Sequence, residues 1–286
     1  MGVPPRRAVP PAVAAPLNGH YVTTDSLTTP DRSLARVDRD RKRSVLDFPV
    51  LDKKPGLLGR RLAALSGDGH PVWAYALGIL FAFVTVASLS IVAGLVVTRV
   101  LLHIHGVAAD DGSFVRFLAQ HRSAGLTEAS LIGSIMAGGV VLPIIVVAGA
   151  VIAGFAKHWR LACFLLFALL VEVGSYRVTT LLIHRQRPQV HRLEGLQANA
   201  SYPSGHTAAS IAVYCGLALL LTSRLKSRGA QVAVWFVAVL IPVFVAFSRM
   251  YRGMHHPTDI AGGVIVGIAA LSALVLVTRA SGRAAE

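Results

Sequence analysis

From Pro71 onward the chain is a succession of long apolar runs, each near the ~20 residues that carry a helix across a bilayer. The runs predict spans over 74–101, 130–155, 161–183, 206–222, 232–250 and 257–278, the fourth being the shortest. A polar, turn-rich connection from His184 to Gly205 separates the third span from the fourth, and a short link from Tyr251 to His256 joins the fifth to the sixth. Between the first two spans, Phe114, Phe117, Leu118, His121 and Arg122 recur at helical spacing and predict an amphipathic helix at the membrane surface. His103 and His105 read as interfacial residues, and Cys163 and Cys215 as small core residues. Gly263 and Gly267, four apart in the last run, allow close helix packing. The expected fold is all-α, a polytopic membrane bundle of about six transmembrane helices over residues 71–280.

Residues 1–70 have a different texture. Pro4, Pro5, Pro10, Pro11 and Pro16 are followed by the charge-dense run Asp38–Arg43, and no apolar stretch reaches a spanning length. Prolines interrupt the Ala/Val segment behind Arg6 and Arg7, so a cleaved signal peptide is not expected. The segment reads as a disordered basic cytoplasmic tail, either a plain solvated linker or one whose cationic clusters touch anionic lipid.

Composition narrows the classes further. Of 286 residues 54% are hydrophobic and only 15% charged, yet Lys and Arg outnumber Asp and Glu by 28 to 14, a formal net charge of +14. So apolar a chain is neither an ordinary water-soluble enzyme nor a disordered segment nor a nucleic-acid binder. Two cysteines exclude a disulfide framework and a Cys-rich metal site. Lys157, Arg160, Arg224, Lys226 and Arg228, with Arg60 and Arg61 before the first span and Arg279 and Arg283 after the last, mark one side as cytoplasmic and place both termini there. Arg185, Arg187, Arg192, Arg249 and Arg252 fall on the opposite side and need another reason for being there.

That reason lies in three polar segments at span ends on the extracytoplasmic side: Arg185-Gln186-Arg187-Pro188, then Tyr202-Pro203-Ser204-Gly205-His206, then Ser248-Arg249 followed by His255 and Asp259. Ionisable groups at the bilayer edge are costly unless paired or functional. Guanidinium forks suit phosphate oxygens, and imidazoles titrate near neutrality. Together they form an inventory for phosphoryl transfer without a dedicated metal.

The three segments resemble the signature of the type 2 phosphatidic acid phosphatase superfamily, membrane lipid phosphatases related to vanadium haloperoxidases. Ser248, Arg249, His255 and Asp259 match the pattern Ser-Arg-x5-His-x3-Asp, Pro203 to His206 match Pro-Ser-Gly-His, and Arg187 and Pro188 match the end of Lys-x6-Arg-Pro. Thr180 stands at the lysine position, which leaves open whether Arg185 supplies the missing cation or the site grips less tightly. The resemblance covers about residues 110–275. It implies His255 as a nucleophile forming a phosphohistidine, Asp259 holding its ring, and His206 as proton donor to the leaving group and later activator of water. It also implies Arg187, Arg249 and Arg185 on the phosphate oxygens, with Ser204 and the Gly205 amide at a helix N-terminus favouring the anion. No metal or cofactor is implied. The expected partners are a lipid phosphate substrate and membrane lipids, not nucleic acid. Among family substrates an isoprenoid diphosphate of the undecaprenyl type is favoured by an outward-facing site, with phosphatidic acid or phosphatidylglycerol phosphate as the alternative.

Glu172, deep in the third span with Tyr176 and Arg177 a turn on, is either a functional group or half of an internal ion pair or hydrogen bond. A transporter would run polar residues through several spans, whereas the span middles here are apolar except near Glu172. A non-catalytic lipid-binding relative would be expected to lose His255 or Asp259, and both are present.

Overall fold

The computed structural model describes residues 45–52, 56–57, 60–61, 71–195 and 198–280. In chain order the helices are α1 (Pro71–Arg99), α2 (Val107–Gln120), α3 (Ala124–Met136), α4 (Val141–Phe155), α5 (Trp159–Leu182), α6 (Gly205–Ser210), α7 (Gly216–Thr222), α8 (Arg228–Tyr251) and α9 (Pro257–Ala280). A π-helical stretch, Ile211–Cys215, joins α6 to α7 without a break in direction of the chain's hydrogen bonding. Among the described residues there is no strand, only an isolated bridge between Arg185 and Ala200. Among the described residues six segments are long and apolar enough to cross a membrane: Val72–His103, Ala124–Phe155, Trp159–Leu182, Gly205–Thr222, Arg228–Tyr251 and Pro257–Ala280. Large apolar side chains such as Phe81, Ile144, Leu170, Phe236 and Val243 stand exposed on the outside of the bundle, the pattern of a lipid-facing surface.

Local signals set the helix ends. The Ser123 hydroxyl accepts from the Leu126 N–H (3.3 Å) to cap α3, and Ser227 does the same for Ala230 (3.4 Å) at α8. Pro257 opens α9, where its missing N–H costs nothing. The second span departs from the expected uninterrupted helix over 130–155: it starts at Ala124 and is broken between Met136 and Val141, around Gly138-Gly139. Within a long apolar run two glycines give little warning of such a break.

The expected surface helix is α2. Phe114 and Phe117 face outward, while Asp111 and Val115 are buried against the bundle. α9 packs on α6 through glycines, since a Cβ on Gly263 would stand 2.5 Å from the Ser204 carbonyl oxygen and one on Gly267 2.7 Å from that of Ala208. The close approach seats Ser204–His206 beside the start of α9.

The tail expected over residues 1–70 lies mostly outside the described residues. Of its described residues, 45–52 form not a loose linker but a strap on the end of the bundle remote from the Arg249 cluster. Leu51 is buried in the core, and the guanidiniums of Arg160, Arg224 and Arg279 donate to the carbonyls of Leu51, Asp47 and Val50.

Candidate active site

The segment after α5 crosses the mouth of the bundle and brings Arg185 and Arg187 against the start of α9. Arg187 is buried; its Nη1 donates to the Met254 carbonyl (2.5 Å) and lies 3.4 Å from His255 Nε2, while Nη2 donates to the Ala200 carbonyl (2.8 Å). His255 Nδ1 is 2.7 Å from the Ser201 carbonyl oxygen. A carbonyl can only accept, so Nδ1 carries the proton and Nε2 keeps its lone pair on the side of Arg187. Burial, reinforced by the charges of Arg249 and Arg187 and opposed by Asp259, lowers the pKa of His255 to about 4, so the ring is neutral at pH 7.

Asp259 was expected to hold the His255 ring directly. Its Oδ2 is instead 3.8 Å from Nδ1 and accepts from the Ser201 hydroxyl (2.5 Å) and the His256 N–H (2.8 Å), while Oδ1 accepts from Arg185. The carboxylate thus fixes the two backbone segments that flank the ring, and the Ser201 carbonyl sets the tautomer. It remains the nearest negative charge for any imidazolium that forms. Arg185, expected on the phosphate, is likewise redirected: its two arms bind Asp259 and Asp111, with Thr258 Oγ1 2.7 Å from Nη1. Asp111 also accepts from the Thr258 N–H (3.0 Å), capping α9 from a neighbouring helix.

Arg249 is fully buried. Its Nη1 donates to Ser134 Oγ (2.5 Å) and to Glu194 (2.8 and 3.0 Å), whereas Nε and Nη2 have no hydrogen-bond partner among the described residues. An unpaired edge of a buried guanidinium is a costly feature that an oxyanion would relieve. Glu194 also accepts from Arg252 Nε (2.5 Å) and Ser134 Oγ (2.7 Å). Its own burial raises its pKa, but Arg249, Ser134 and Arg252 outweigh that and hold it down to about 2. Ser204 spends its N–H on the Asp259 carbonyl (3.0 Å) and its hydroxyl on Thr207 (3.0 Å), leaving the Gly205 end of α6. Gly205 fits beneath Tyr176, since a Cβ there would lie 3.1 Å from its ring. His206 lines a cavity of about 280 Å³ shared with Glu194 and Ser134.

This constellation coincides with a recognised sequence family: residues 161–283 match the model of the PAP2 superfamily. Phosphatidylglycerophosphatase B of Bacillus subtilis is 28% identical over 169 residues, covering 58% of this chain and 82% of that protein. An undecaprenyl-diphosphatase of Sulfolobus acidocaldarius is 32% identical over 104 residues, 36% of this chain and 46% of that protein. The crystal structure of the transmembrane PAP2-type phosphatidylglycerolphosphate phosphatase of Bacillus subtilis superposes with a TM-score of 0.55 at 24% identity, over 69% of this chain and 92% of that one, which shows a shared fold.

Within the matched residues, His255, Asp259, Arg187 and Arg249 lie together, with Ser204, Gly205 and His206 at the start of α6. Thr180 turns its hydroxyl back to the Arg177 carbonyl (2.9 Å) and takes no part. Glu172 forms neither expected contact through Oε1, which is buried without a hydrogen-bond partner among the described residues. Asp111, Glu194, Ser134 and Ser201 carry no motif and were invisible in the sequence. Acidic residues set beside surplus outward arginines would have been the one available hint, because buried guanidiniums need anions.

Proposed function

We propose that the protein is an integral membrane lipid phosphatase acting through a phosphohistidine, with its site on the extracytoplasmic face. The observation that carries this reading is the pairing of a neutral His255, its unprotonated Nε2 turned toward Arg187, with the unpaired buried edge of Arg249. Nε2 attacks phosphorus as the bond to the leaving oxygen breaks, and His206 gives that oxygen its proton. Water then attacks phosphorus, losing a proton to His206 as the P–N bond breaks. Arg187 and Arg249 hold the equatorial oxygens through both steps. These residues supply nucleophile, acid and charge stabilisation without calling on a metal.

An outward-facing site suits an isoprenoid diphosphate of the undecaprenyl type. The longer match to a phosphatidylglycerophosphatase supports a glycerophospholipid phosphate as the second reading. Purified protein assayed side by side on both classes with a chelator present should release phosphate, and the preferred class identifies the substrate. His255→Ala should cost at least ~1000-fold in kcat with the fold intact, as loss of a covalent nucleophile does, and orthovanadate should inhibit. Undiminished turnover in His255→Ala would remove the assigned nucleophile.

A further inference from the structure

The break in the second span lies at the site. Ser134, at the end of α3, binds both Glu194 and Arg249, and Gly138, Gly139 and Val140 line the same cavity of about 280 Å³ as His206. The lining is of two kinds. His206, Glu194 and Ser134 are polar, whereas Leu131, Ile135 and Val140 are apolar and also stand 45%, 51% and 69% exposed on the outside of the bundle. A cavity with one polar wall and one apolar wall that continues to the lipid-facing surface fits an amphiphile. The interrupted backbone agrees, because unpaired N–H and C=O groups at membrane depth are tolerated only where they line a cavity or are covered by protein.

Reaction geometry gives the cavity a direction. In-line displacement places the leaving oxygen opposite the attacking Nε2 of His255, next to the group that protonates it. Of the two histidines, His206 lines this cavity and His255 does not. We infer that the cavity seats the leaving-group side of the substrate: the leaving oxygen at His206, an alcohol oxygen in a monoester and the bridging oxygen in a diphosphate, and the start of the hydrocarbon chain between Leu131, Ile135 and Val140. The lipid therefore reaches the site sideways through the Gly138-Gly139 break. This inference rests on the phosphatase reading and on His206 as proton donor.

The competing path is an apolar cavity of about 720 Å³ between α6, α8 and α9, lined by residues including Trp235, Val243 and Ile268. The test compares Gly139→Trp with Val243→Trp on dioleoyl phosphatidic acid in mixed micelles and on water-soluble para-nitrophenyl phosphate. A Cβ on Gly139 meets nothing within 4 Å, so the substitution fills open space, and melting in detergent with Gly139→Leu as a milder variant guards against misfolding. The expected result is that Gly139→Trp lowers the ratio of kcat/KM for lipid over soluble substrate at least ~10-fold, the scale of steric discrimination in an apolar pocket, while Val243→Trp leaves it unchanged. An unchanged ratio in Gly139→Trp, or a lipid-selective loss in Val243→Trp, overturns the portal. Absence of phosphate release by the wild-type protein from both substrates would instead overturn the phosphatase reading itself.

Discussion

A carbonyl oxygen that can only accept decides the chemistry of His255, and a carboxylate placed on one edge of Arg249 leaves the other edge for an anion. Glu194 is therefore a positioning residue: it fixes Arg249 and Arg252 from the loop side. Replacing it by Gln keeps the shape but removes the charge, and should raise KM for a lipid phosphate ~10-fold with a smaller change in kcat, as for loss of one charge-assisted contact. The sign of its pH effect follows from a folded pKa near 2 against an ordinary value of 4.5. Its stabilising contribution is full above about pH 4.5 and is lost as the pH falls toward 2. Wild-type melting temperature in detergent should fall across that window, and Glu194→Gln should flatten the fall; identical profiles would take Glu194 out of the acid response. At this scale the motif residues stood out in the sequence because the phosphoryl transfer proposed for them demands particular side chains at particular spacings. Glu194, Asp111 and Ser201 did not, because any acidic or hydroxyl residue that reaches the arginines satisfies the same electrostatics.

Among the elements, α2 and α9 are joined through Arg185, which stands between the carboxylates of Asp111 and Asp259. Removing the cation leaves two buried anions facing one another. Arg185→Ala should cost about 3–5 kcal/mol of stability, the scale for breaking a buried pair, and the double variant Arg185→Ala with Asp111→Asn should recover part of it. Denaturation of the two variants in detergent measures the difference, and equal losses would show that Asp111 is not the source. The spans themselves were legible because length and apolar content are what a bilayer selects. The break in the second span was not, because a glycine pair in an apolar run is compatible with an unbroken membrane helix. The contact of Gly263 and Gly267 with Ser204 and Ala208 was anticipated as close packing, and it seats the start of α6 against α9.

At the scale of the whole molecule, two groups of arginines among the described residues sit at two ends. Arg185, Arg249 and Arg252 pair with carboxylates at the site, and Arg160, Arg224 and Arg279 gather around the strap of residues 45–52. With the site placed outside, a lone cysteine introduced as His191→Cys in a Cys163→Ala, Cys215→Ala background should react with a membrane-impermeant maleimide on intact cells. Lys226→Cys should react only after the membrane is opened, and the reverse pattern would invert the proposed orientation. Leu46, Phe48 and Val50 of the strap, which alternate with Asp47 and Pro49, pack on the buried core; three alternating positions are too short a run to announce it.

The strap has a consequence for how orientation is studied. Arg160, Arg224 and Arg279 belong to the cations that the inside-positive bias counts as address labels, yet their N–H groups are committed to main-chain acceptors. Swapping them for neutral residues would unfasten one end of the bundle as well as rewrite the label, so a flipped or lost protein could not be assigned to either cause. Lys226 and Arg228, which are exposed at the same end, carry the label alone.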